Sequence, residues 1–331
     1  MTSAVPVDFP DNAVEADVRE GLALVEAVIR ETSRTEESLL TEASLHLVDA
    51  GGKRFRAMLV LLAGQFGDPQ DSRLVPAAAA IELTHLATLF HDDVMDEAAI
   101  RRGHPSANSR WDNTVAILTG DFLFARASRI LADLGPEAIR IQTETFARLV
   151  SGQVAETIGP RPGEDPLDHY WHVVMEKTGS LIATSGRFGA MFSGAPEEIV
   201  SRMELACEAL GVAFQISDDI LDISSETGQS GKTPGTDLRE GVRSLPVLHA
   251  LRSAEPGDQR LRALLARGPL TDDAEHAEAL ALLRAHPAMK AARADLIAWT
   301  GKAREHVLAL PPGPARTSFE TLCDFVVERT G

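Results

Sequence analysis

The segment IELTHLATLFHDDVMD, residues 81–96, decides the fold of this chain. Its apolar residues recur at helical spacing, and the run ends in Asp92-Asp93-Val94-Met95-Asp96. The same Asp-Asp-apolar-apolar-Asp pattern returns as Asp218-Asp219-Ile220-Leu221-Asp222. Carboxylates at i and i+4 share one helix face, so each pentad offers a cluster of hard oxygen ligands. Two such pentads facing each other predict a site for several Mg2+ ions, which usually serve a phosphate or diphosphate.

The alternative is that both pentads are ordinary helix ends or solvated faces. Acidic residues favour the N-terminus of a helix, because the macrodipole repels them at the C-terminal end. Both pentads nevertheless come late in their apolar runs, residues 81–95 and 205–221. A local rule that is broken twice in the same way indicates function, and we therefore favour metal binding.

The composition favours a helical protein that does not bind nucleic acid. Of the 331 residues, 44% are hydrophobic and only 5% are aromatic, and the many Ala and Leu residues favour helices over strands. The net charge of -17 argues against nucleic acid as a partner. An acidic protein that binds anions must cluster its Lys and Arg side chains.

The chain also has the features of a soluble cytoplasmic protein. Its two cysteines, Cys207 and Cys323, suit a reducing compartment, and Cys207 lies in an apolar run that predicts a core thiol. Residues 1–12 lack the basic start and apolar run of a signal peptide and are expected to be flexible. No apolar stretch is judged long enough to span a bilayer, so we expect no transmembrane segment.

Helical spacing runs through nearly the whole chain, interrupted by Gly- and Pro-rich breaks such as residues 51–52, 67–69, 101–105 and 159–166. No alternating strand pattern and no linker that would divide the chain is evident. We therefore predict an all-α fold in which one large helical bundle, residues 1–331, surrounds a deep central cavity.

The first apolar helix also carries a polar stripe. At about 100° per residue, His85, Thr88, Asp92 and Asp96 fall on nearly one line. A single histidine on an apolar helix is commonly a core residue with a satisfied ring. Because this one shares its line with carboxylates, we interpret it as part of the site.

Cations cluster at the edges of the motifs. Lys53 and Arg56, three residues apart, are predicted to share one face at the start of a helix, where a cation is unfavourable unless an anion binds there. Each cluster alone could be a solvated surface; together they predict binding of two diphosphates through Arg forks and Lys charges. The clusters contain Lys53, Arg56, Arg101, Arg102, Lys177 and Lys232.

Other catalytic patterns are missing from the sequence. There is no evident nucleophile triad, P-loop or dinucleotide glycine fingerprint. Diphosphates, Mg2+ and an apolar cavity without a protein nucleophile point to ionisation of an allylic diphosphate, with the metals stabilising the leaving group.

With these residues in view, the sequence closely resembles the trans-polyprenyl diphosphate synthases, and most of all the bacterial long-chain type that makes quinone side chains. The matching stretches fall in the family's order between residues 51 and 252. They are "GGKRFRAML", "IELTHLATLFHDDVMDEAAIRRGHPSANSRWDNTVAILTGDFL", "EKTGSLIATS", "FQISDDILDISSETGQSGKTPGTDL" and "SLPVLHALR".

The resemblance implies an isoprenoid synthase fold, a homodimer and three Mg2+ ions per active site. It implies that the six aspartates Asp92, Asp93, Asp96, Asp218, Asp219 and Asp222 hold Mg2+ on an allylic diphosphate, which Arg101, Lys177 and Lys232 also contact. Isopentenyl diphosphate would be bound by Lys53, Arg56, His85 and Arg102. Thr178 and Gln215 match polar residues near the reacting carbons.

One position departs from the family pattern. The family often has a lysine five residues after the aspartate that matches Asp237, and here that position is Val242. Arg243 is its neighbour, and whether it replaces the lysine is left open.

The length of the product is predicted from small residues on one flank of the polar stripe. Thr84, Ala87 and Thr88 belong to this flank, which extends about 22 Å from Ala77 to Asp92. One interpretation is close helix packing; the other is a channel for several prenyl units. Short-chain members of the family resemble this chain but have an aromatic plug at the position of Ala87 or Thr88. Its absence predicts a product longer than C20, in the range C30 to C50.

Three alternatives remain at this point. A geranylgeranyl diphosphate synthase would share the chemistry and stop at C20. A terpene cyclase would not need the second pentad or the cations Lys53, Arg56 and Arg102. A non-catalytic regulatory subunit typically loses its aspartates, whereas this chain keeps all six.

Overall fold

A computed structural model describes residues 7–225 and 234–330, and within them nearly all regular structure is helical. The helices are α1 (Asn12–Thr32), α2 (Ser38–Asp49), α3 (Phe55–Gly64), α4 (Leu74–Met95), α5 (Ala107–Arg110), α6 (Asn113–Leu134), α7 (Pro136–Ile158), α8 (Pro166–Val173), α9 (Ser180–Phe192), α10 (Glu197–Ser224), α11 (Thr236–Glu240), α12 (Leu245–Leu251), α13 (Gln259–Ala266), α14 (Asp273–Ala285), α15 (Ala288–Leu308) and α16 (Pro314–Glu328). A π-helical stretch, the π-segment (Val174–Gly179), joins α8 to α9, and a short 3-10 helix covers Pro256–Asp258. The all-α prediction is confirmed.

The strands found among the described residues form one two-residue antiparallel pair, β1 (Ile100–Arg101) and β2 (His104–Pro105), in which Arg101 is opposite His104. This hairpin occupies one of the predicted breaks. The predicted breaks at 51–52, 67–69 and 159–166 are also confirmed. The break between α1 and α2 was missed, because residues 33–37 contain neither Gly nor Pro.

The contacts divide the chain into two compact units. Unit 1 comprises Met1–Phe146, Leu181–Cys207 and His306–Thr321; unit 2 comprises Ala147–Ser180, Glu208–Glu305 and Leu322–Gly331. The single-domain organisation and the central cavity stay predictions. Residues 1–6 of the segment expected to be flexible lie outside the described residues, whereas Val7 and Phe9 are buried.

Helix α4 is the core of unit 1, and it packs against α1, α3 and α6. At 22 residues, α4 is long and apolar enough to cross a membrane, so the expectation that no stretch reaches that length is wrong. The reason for its apolarity is burial, since 67% of its most apolar window is covered by the rest of the fold.

Aspartates cap several helices and so account for part of the acidic composition. The Asp11 carboxylate accepts the amides of Ala13 and Val14 at the start of α1, and Asp112 accepts the Val115 amide at the start of α6. Asp165 and Asp272 cap α8 and α14 in the same way. Each cap satisfies amides that the first helical turn leaves without intrahelical partners. Cys207 is a buried free thiol, as predicted, and so is Cys323.

Candidate active site

The first aspartate pentad occupies the last turn of α4, in unit 1. Asp92 is half-buried, whereas Asp96 is exposed and forms the C-cap, its amide donating to the Asp92 carbonyl at 2.8 Å. Asp92 and Asp96 are therefore one helical turn apart at the end of the helix, as the spacing predicts. This is the end where the macrodipole disfavours carboxylates.

Asp93 differs from its neighbours because it is fully buried. Its Oδ1 accepts a charged hydrogen bond from Arg101 Nε at 2.5 Å, and its Oδ2 is buried without a hydrogen-bond partner in the described part of the chain. Burial raises the pKa of Asp93 above its ordinary value, and the charge of Arg101 opposes that effect. Arg101, predicted to contact a diphosphate, is thus anchored to the pentad itself.

The β1–β2 hairpin positions both arginines that follow the pentad. Arg102 and Gly103 form its two-residue turn with φ of 53° and 78°, the left-handed conformation that such turns require. Arg102 Nη1 donates to the Leu47 carbonyl at 2.9 Å and also to that of Gly51. Burial lowers the pKa of Arg102 to about 10, which still leaves the guanidinium charged at neutral pH.

The loop before α3 corrects one expectation about the cations. Lys53 and Arg56 do not share a helix face, because α3 begins at Phe55 and Lys53 lies before it, exposed. The helix cannot start earlier: Gly51, Gly52 and Arg54 have φ of 83°, 155° and 47°. Arg56 lies in the first turn of α3, as predicted.

Arginines surround His85 on α4, within unit 1. Burial holds the pKa of His85 well below its ordinary value, and the positive charges of Arg56, Arg102, Arg54 and Arg101 lower it further. The imidazole is therefore neutral at pH 7. Four guanidiniums near one neutral ring, in a protein with a net charge of -17, form a local positive site suited to an anion.

The second pentad lies near the end of α10, in unit 2. Asp218 Oδ1 accepts a hydrogen bond from Arg329 Nη2 at 2.5 Å, and the same guanidinium lies over the Phe214 ring at 4.4 Å. Asp222 accepts the backbone amides of Thr236 and Asp237 at 3.1 and 3.2 Å. These contacts tie the pentad to the start of α11 and to the residues after α16.

Asp219, in the middle of this pentad, is buried and accepts three hydrogen bonds. The Tyr170 hydroxyl and the Leu245 amide donate to Oδ2 at 2.7 and 2.9 Å, and Gln215 Nε2 donates to Oδ1 at 3.0 Å. Burial raises the pKa of Asp219 to about 6, although all three hydrogen bonds oppose the change. Burial also raises the pKa of Tyr170 well above its ordinary value, so this phenol stays protonated and donates.

The raised pKa of Asp219 predicts a pH-dependent stability in the absence of metal. An unfolded aspartate titrates near 3.9, so the folded state holds this proton more tightly. Its contribution to the free energy of unfolding is complete below about pH 4 and is lost as the pH rises through about 6, about 3 kcal/mol in all. Asp93 and His85 also have shifted pKa values, so the loss is measured as a difference: in urea unfolding in EDTA between pH 4 and 7, the wild type should lose about this much stability relative to Asp219→Asn. Parallel pH profiles would contradict the assignment.

Lys177 and Thr178, predicted near the allylic diphosphate, lie in the π-segment of unit 2. This segment continues the helical run from α8 to α9 with π-helical hydrogen bonding. Thr178 Oγ1 donates to Gln215 Oε1 at 3.3 Å, and Gln215 in turn donates to Asp219, so Thr178, Gln215 and Asp219 form one chain of hydrogen bonds. Lys177 Nζ pairs with the Glu156 carboxylate.

The small residues predicted to control product length differ in burial. Ala77, Ala80, Thr84 and Ala87 have essentially no accessible surface, and Thr84 accepts a hydrogen bond from Gln142 Nε2 at 2.8 Å. Thr88 is half-buried and donates to the His85 carbonyl at 2.8 Å. Close helix packing therefore explains why the four buried residues are small, whereas Thr88 has accessible space beside it. The role of this flank in chain length stays a prediction.

The aspartates suit Mg2+ that arrives with a substrate. In residues 7–225 and 234–330, no group of three His, Cys, Asp or Glu side chains is arranged to hold a metal ion. Mg2+ is usually held by one or two carboxylates together with substrate phosphates, and it prefers oxygen ligands. The accessible carboxylates of Asp92, Asp96 and Asp218 fit this requirement.

The role of each predicted site residue stays a prediction, and the structure adds three contributors that the sequence analysis did not name. Sequence reasoning gave no role to Arg54, Tyr170 or Arg329. Tyr170 is the only tyrosine in the chain, and its buried hydroxyl requires a partner. No sequence signal pointed to Arg329. Lys232 lies outside the described residues.

Known proteins are similar to this chain in sequence and in structure. A family model described as polyprenyl synthetase matches residues 37–283. The chain is 51% identical over 331 residues to the nonaprenyl diphosphate synthase of Mycobacterium tuberculosis, covering 100% of this chain and 98% of the relative.

Solved structures are also similar. A geranylgeranyl pyrophosphate synthase from Corynebacterium glutamicum, complexed with calcium and isoprenyl diphosphate, superposes with a TM-score of 0.87 at 43% identity, covering 98% and 100% of the two chains. A decaprenyl diphosphate synthase from Rhodobacter capsulatus gives a TM-score of 0.87 at 35% identity, covering 97% and 100%.

Proposed function

Because the chain belongs to the polyprenyl synthetase family, we propose that it is a Mg2+-dependent prenyltransferase. It condenses isopentenyl diphosphate repeatedly onto an allylic diphosphate, farnesyl diphosphate or a similar primer. The product is an all-trans polyprenyl diphosphate of C30 to C50. The nonaprenyl and decaprenyl synthases among its relatives support the long product.

The observation that carries this proposal is the positive site beside the first pentad. Four arginines lie close enough to His85 to lower its pKa, and one of them, Arg101, is bonded directly to Asp93. A cluster of guanidiniums next to accessible carboxylates suits a diphosphate, since guanidiniums bind phosphate oxygens directly and carboxylates bind them through a divalent cation.

Each substrate has its own set of residues in this proposal. Lys53, Arg56, His85 and Arg102, all of unit 1, bind isopentenyl diphosphate. Arg101, Lys177 and Lys232 contact the allylic diphosphate. Thr178 and Gln215 lie near the reacting carbons, where the neutral side-chain amide and hydroxyl stabilise positive charge without reacting with it.

The residues act by binding, orienting and excluding water. The C–O bond of the allylic diphosphate breaks and diphosphate leaves with the electron pair. The double bond of isopentenyl diphosphate then forms the new C–C bond, and the proton lost from the adjacent carbon goes to the released diphosphate. Apolar residues must keep water from the allylic cation. No side-chain general base is required, which agrees with the lowered pKa of His85, which makes it a weak base, and with the protonated Tyr170.

The aspartates would hold three Mg2+ ions, one set through Asp92, Asp93 and Asp96 and the other through Asp218, Asp219 and Asp222. When bound, Mg2+ supplies the charge that stabilises the leaving diphosphate. Asp93 and Asp219 already accept hydrogen bonds from the protein. These bonds fix the orientation of each pentad, and with it the more accessible carboxylates of the same pentad.

We further propose a cytoplasmic homodimer. Helix α7 exposes an apolar stripe at i, i+4 and i+8, with Val150, Val154 and Ile158 at 43%, 50% and 75% exposure. Exposed apolar stripes of this kind are typical of subunit interfaces, and a second copy of the chain would cover it. Light scattering of the purified chain measures the mass directly.

A product assay tests the function. The purified chain is incubated with farnesyl diphosphate, radiolabelled isopentenyl diphosphate and Mg2+, and the products are dephosphorylated and separated by carbon number. We expect a dominant product between C30 and C50, complete loss of turnover in EDTA, and recovery when Mg2+ is added in excess. Turnover that persists in EDTA would contradict the metal chemistry.

The same assay separates two of the three alternatives from the proposed function. A geranylgeranyl diphosphate synthase would stop at C20, and the similarity to the Corynebacterium glutamicum enzyme makes this the second candidate. A non-catalytic subunit would be inactive alone and gain activity only with a partner protein.

A further inference from the structure

Three successive turns of α7 contact the π-segment, at positions that share one helix face. Arg148, Gly152 and Glu156 are spaced four residues apart, and all belong to the part of α7 in unit 2. We call these three residues the docking stripe. It lies about 200° around the helix from the exposed Val150, Val154 and Ile158.

Arg148 is the first member of the docking stripe and binds two glutamates. Its Nη2 donates to Glu176 Oε1 at 2.9 Å and to Glu208 Oε1 at 2.7 Å, and its Nε donates to Glu176 at 3.1 Å. Glu176 belongs to the π-segment and Glu208 to α10. One guanidinium therefore links α7, the π-segment and α10, and it neutralises two partly buried carboxylates that would otherwise repel each other.

Gly152 is the second member and lets the two backbones touch. A Cβ added at Gly152 would lie 2.5 Å from the Lys177 amide nitrogen and 3.0 Å from the Glu176 Cβ. Cβ atoms essentially never approach another atom as closely as 2.5 Å, and the obstacle here is a backbone nitrogen, which cannot rotate away. Glu156, the third member, accepts a hydrogen bond from Lys177 Nζ.

The docked segment carries residues that the proposed reaction uses. Lys177 follows Glu176 directly, and Thr178 donates to Gln215, which is seven residues, or two turns, after Glu208 on α10. Arg148 thus fixes the π-segment against the same face of α10 that presents Gln215 and Asp219.

We propose that Arg148, Gly152 and Glu156 are positioning residues. They hold the π-segment in place, so that Lys177 contacts the allylic diphosphate and Thr178 lies near the reacting carbons. The proposal rests on the proposed function, because it concerns one of the two substrates of that reaction. It predicts a selective defect: the allylic substrate should be affected, whereas isopentenyl diphosphate, assigned to residues of unit 1, should not.

The first test compares Arg148→Met with Arg140→Met. Arg140 lies on the same helix and also pairs with two glutamates, Glu137 and Glu144, but it is exposed and both of its partners belong to α7 itself. We expect Arg148→Met to lower kcat about 30-fold and raise KM for the allylic substrate at least about fivefold, with KM for isopentenyl diphosphate changed less than about twofold. Arg140→Met should match the wild type. Arg148→Lys should recover part of the activity, since it keeps the charge and loses the fork.

The second test does not depend on charge or on how well Arg148→Met folds. Gly152→Ala is compared with Gly301→Ala, a helical glycine on α15 with nothing within 4 Å of an added Cβ. Gly152→Ala should show the same selective defect, and hydrogen exchange of amides 174–180 should accelerate in it and in Arg148→Met. Gly301→Ala should change neither.

The possible outcomes separate the two proposals. A wild-type chain without condensation activity would sink the proposed function. The wild type could instead be active while Arg148→Met has the same kcat and KM values as Arg140→Met, and Gly152→Ala the same as Gly301→Ala. That result would overturn the docking stripe and leave the proposed function standing. Equal changes in both KM values would also overturn it, because general damage to the fold has no preference for one substrate.

Discussion

Replacing Asp92 with asparagine is expected to lower kcat about a thousandfold while the protein stays folded. Asp92 is half-buried at the end of α4 and is one of the accessible carboxylates assigned to Mg2+. Asparagine has nearly the same shape but no charge, so it removes a metal ligand without opening a cavity. Loss of one group that stabilises a developing anion costs about 100- to 1000-fold, and loss of a metal ion costs at least as much.

The matched control is Asp133→Asn. Asp133 is also an aspartate near the C-terminal end of a helix, α6, and it is exposed and outside the site. It should retain wild-type kcat, and circular dichroism should show the same helix content for both variants. Turnover in Asp92→Asn within tenfold of the wild type would mean that the first pentad does not hold the catalytic metal.

The second large effect is expected on product length. Thr88→Phe should move the dominant product from C30–C50 to C20 or shorter, because the ring would occupy the accessible space next to His85 and Asp92 on the polar stripe. Ala87→Phe should act in the same direction. Ala87 is fully buried, however, so its larger side chain also costs about 1 to 3 kcal/mol of stability.

Leu86→Phe provides the control for a bulky substitution in a buried site. Leu86 is as buried as Ala87 but points about 100° away around α4. It should leave the product distribution unchanged on reverse-phase analysis. If Thr88→Phe and Ala87→Phe both give wild-type products, the growing chain does not run along this flank of the helix.

The sequence predicted well whatever depends on local periodicity. The all-α class and the positions of both pentads in late helical turns follow from spacing along the chain. Helical patterning is a local property, and α4 shows it over six turns.

Contacts between distant residues could not be predicted in the same way. Asp218 meets Arg329 across 111 positions and Tyr170 meets Asp219 across 49, and no periodicity encodes such pairs. The prediction that Lys53 shares a helix face with Arg56 was wrong for a different reason, since Lys53 lies before α3. A left-handed arginine at the N-cap is rare, so the pattern alone favoured an earlier start of the helix.

The π-segment has a consequence for register along the continuous helical run from α8 to α9. Tyr170 and Thr178 are eight residues apart, which in a regular α-helix would separate them by about 80° around the axis. A π-turn accommodates one additional residue, so the two side chains behave as if seven apart and differ by only about 20°. Both then reach α10, Tyr170 at Asp219 and Thr178 at Gln215. Regular α-helix over the same eight residues would instead rotate Tyr170 about 80° from Thr178 and turn the only tyrosine of the chain away from its carboxylate.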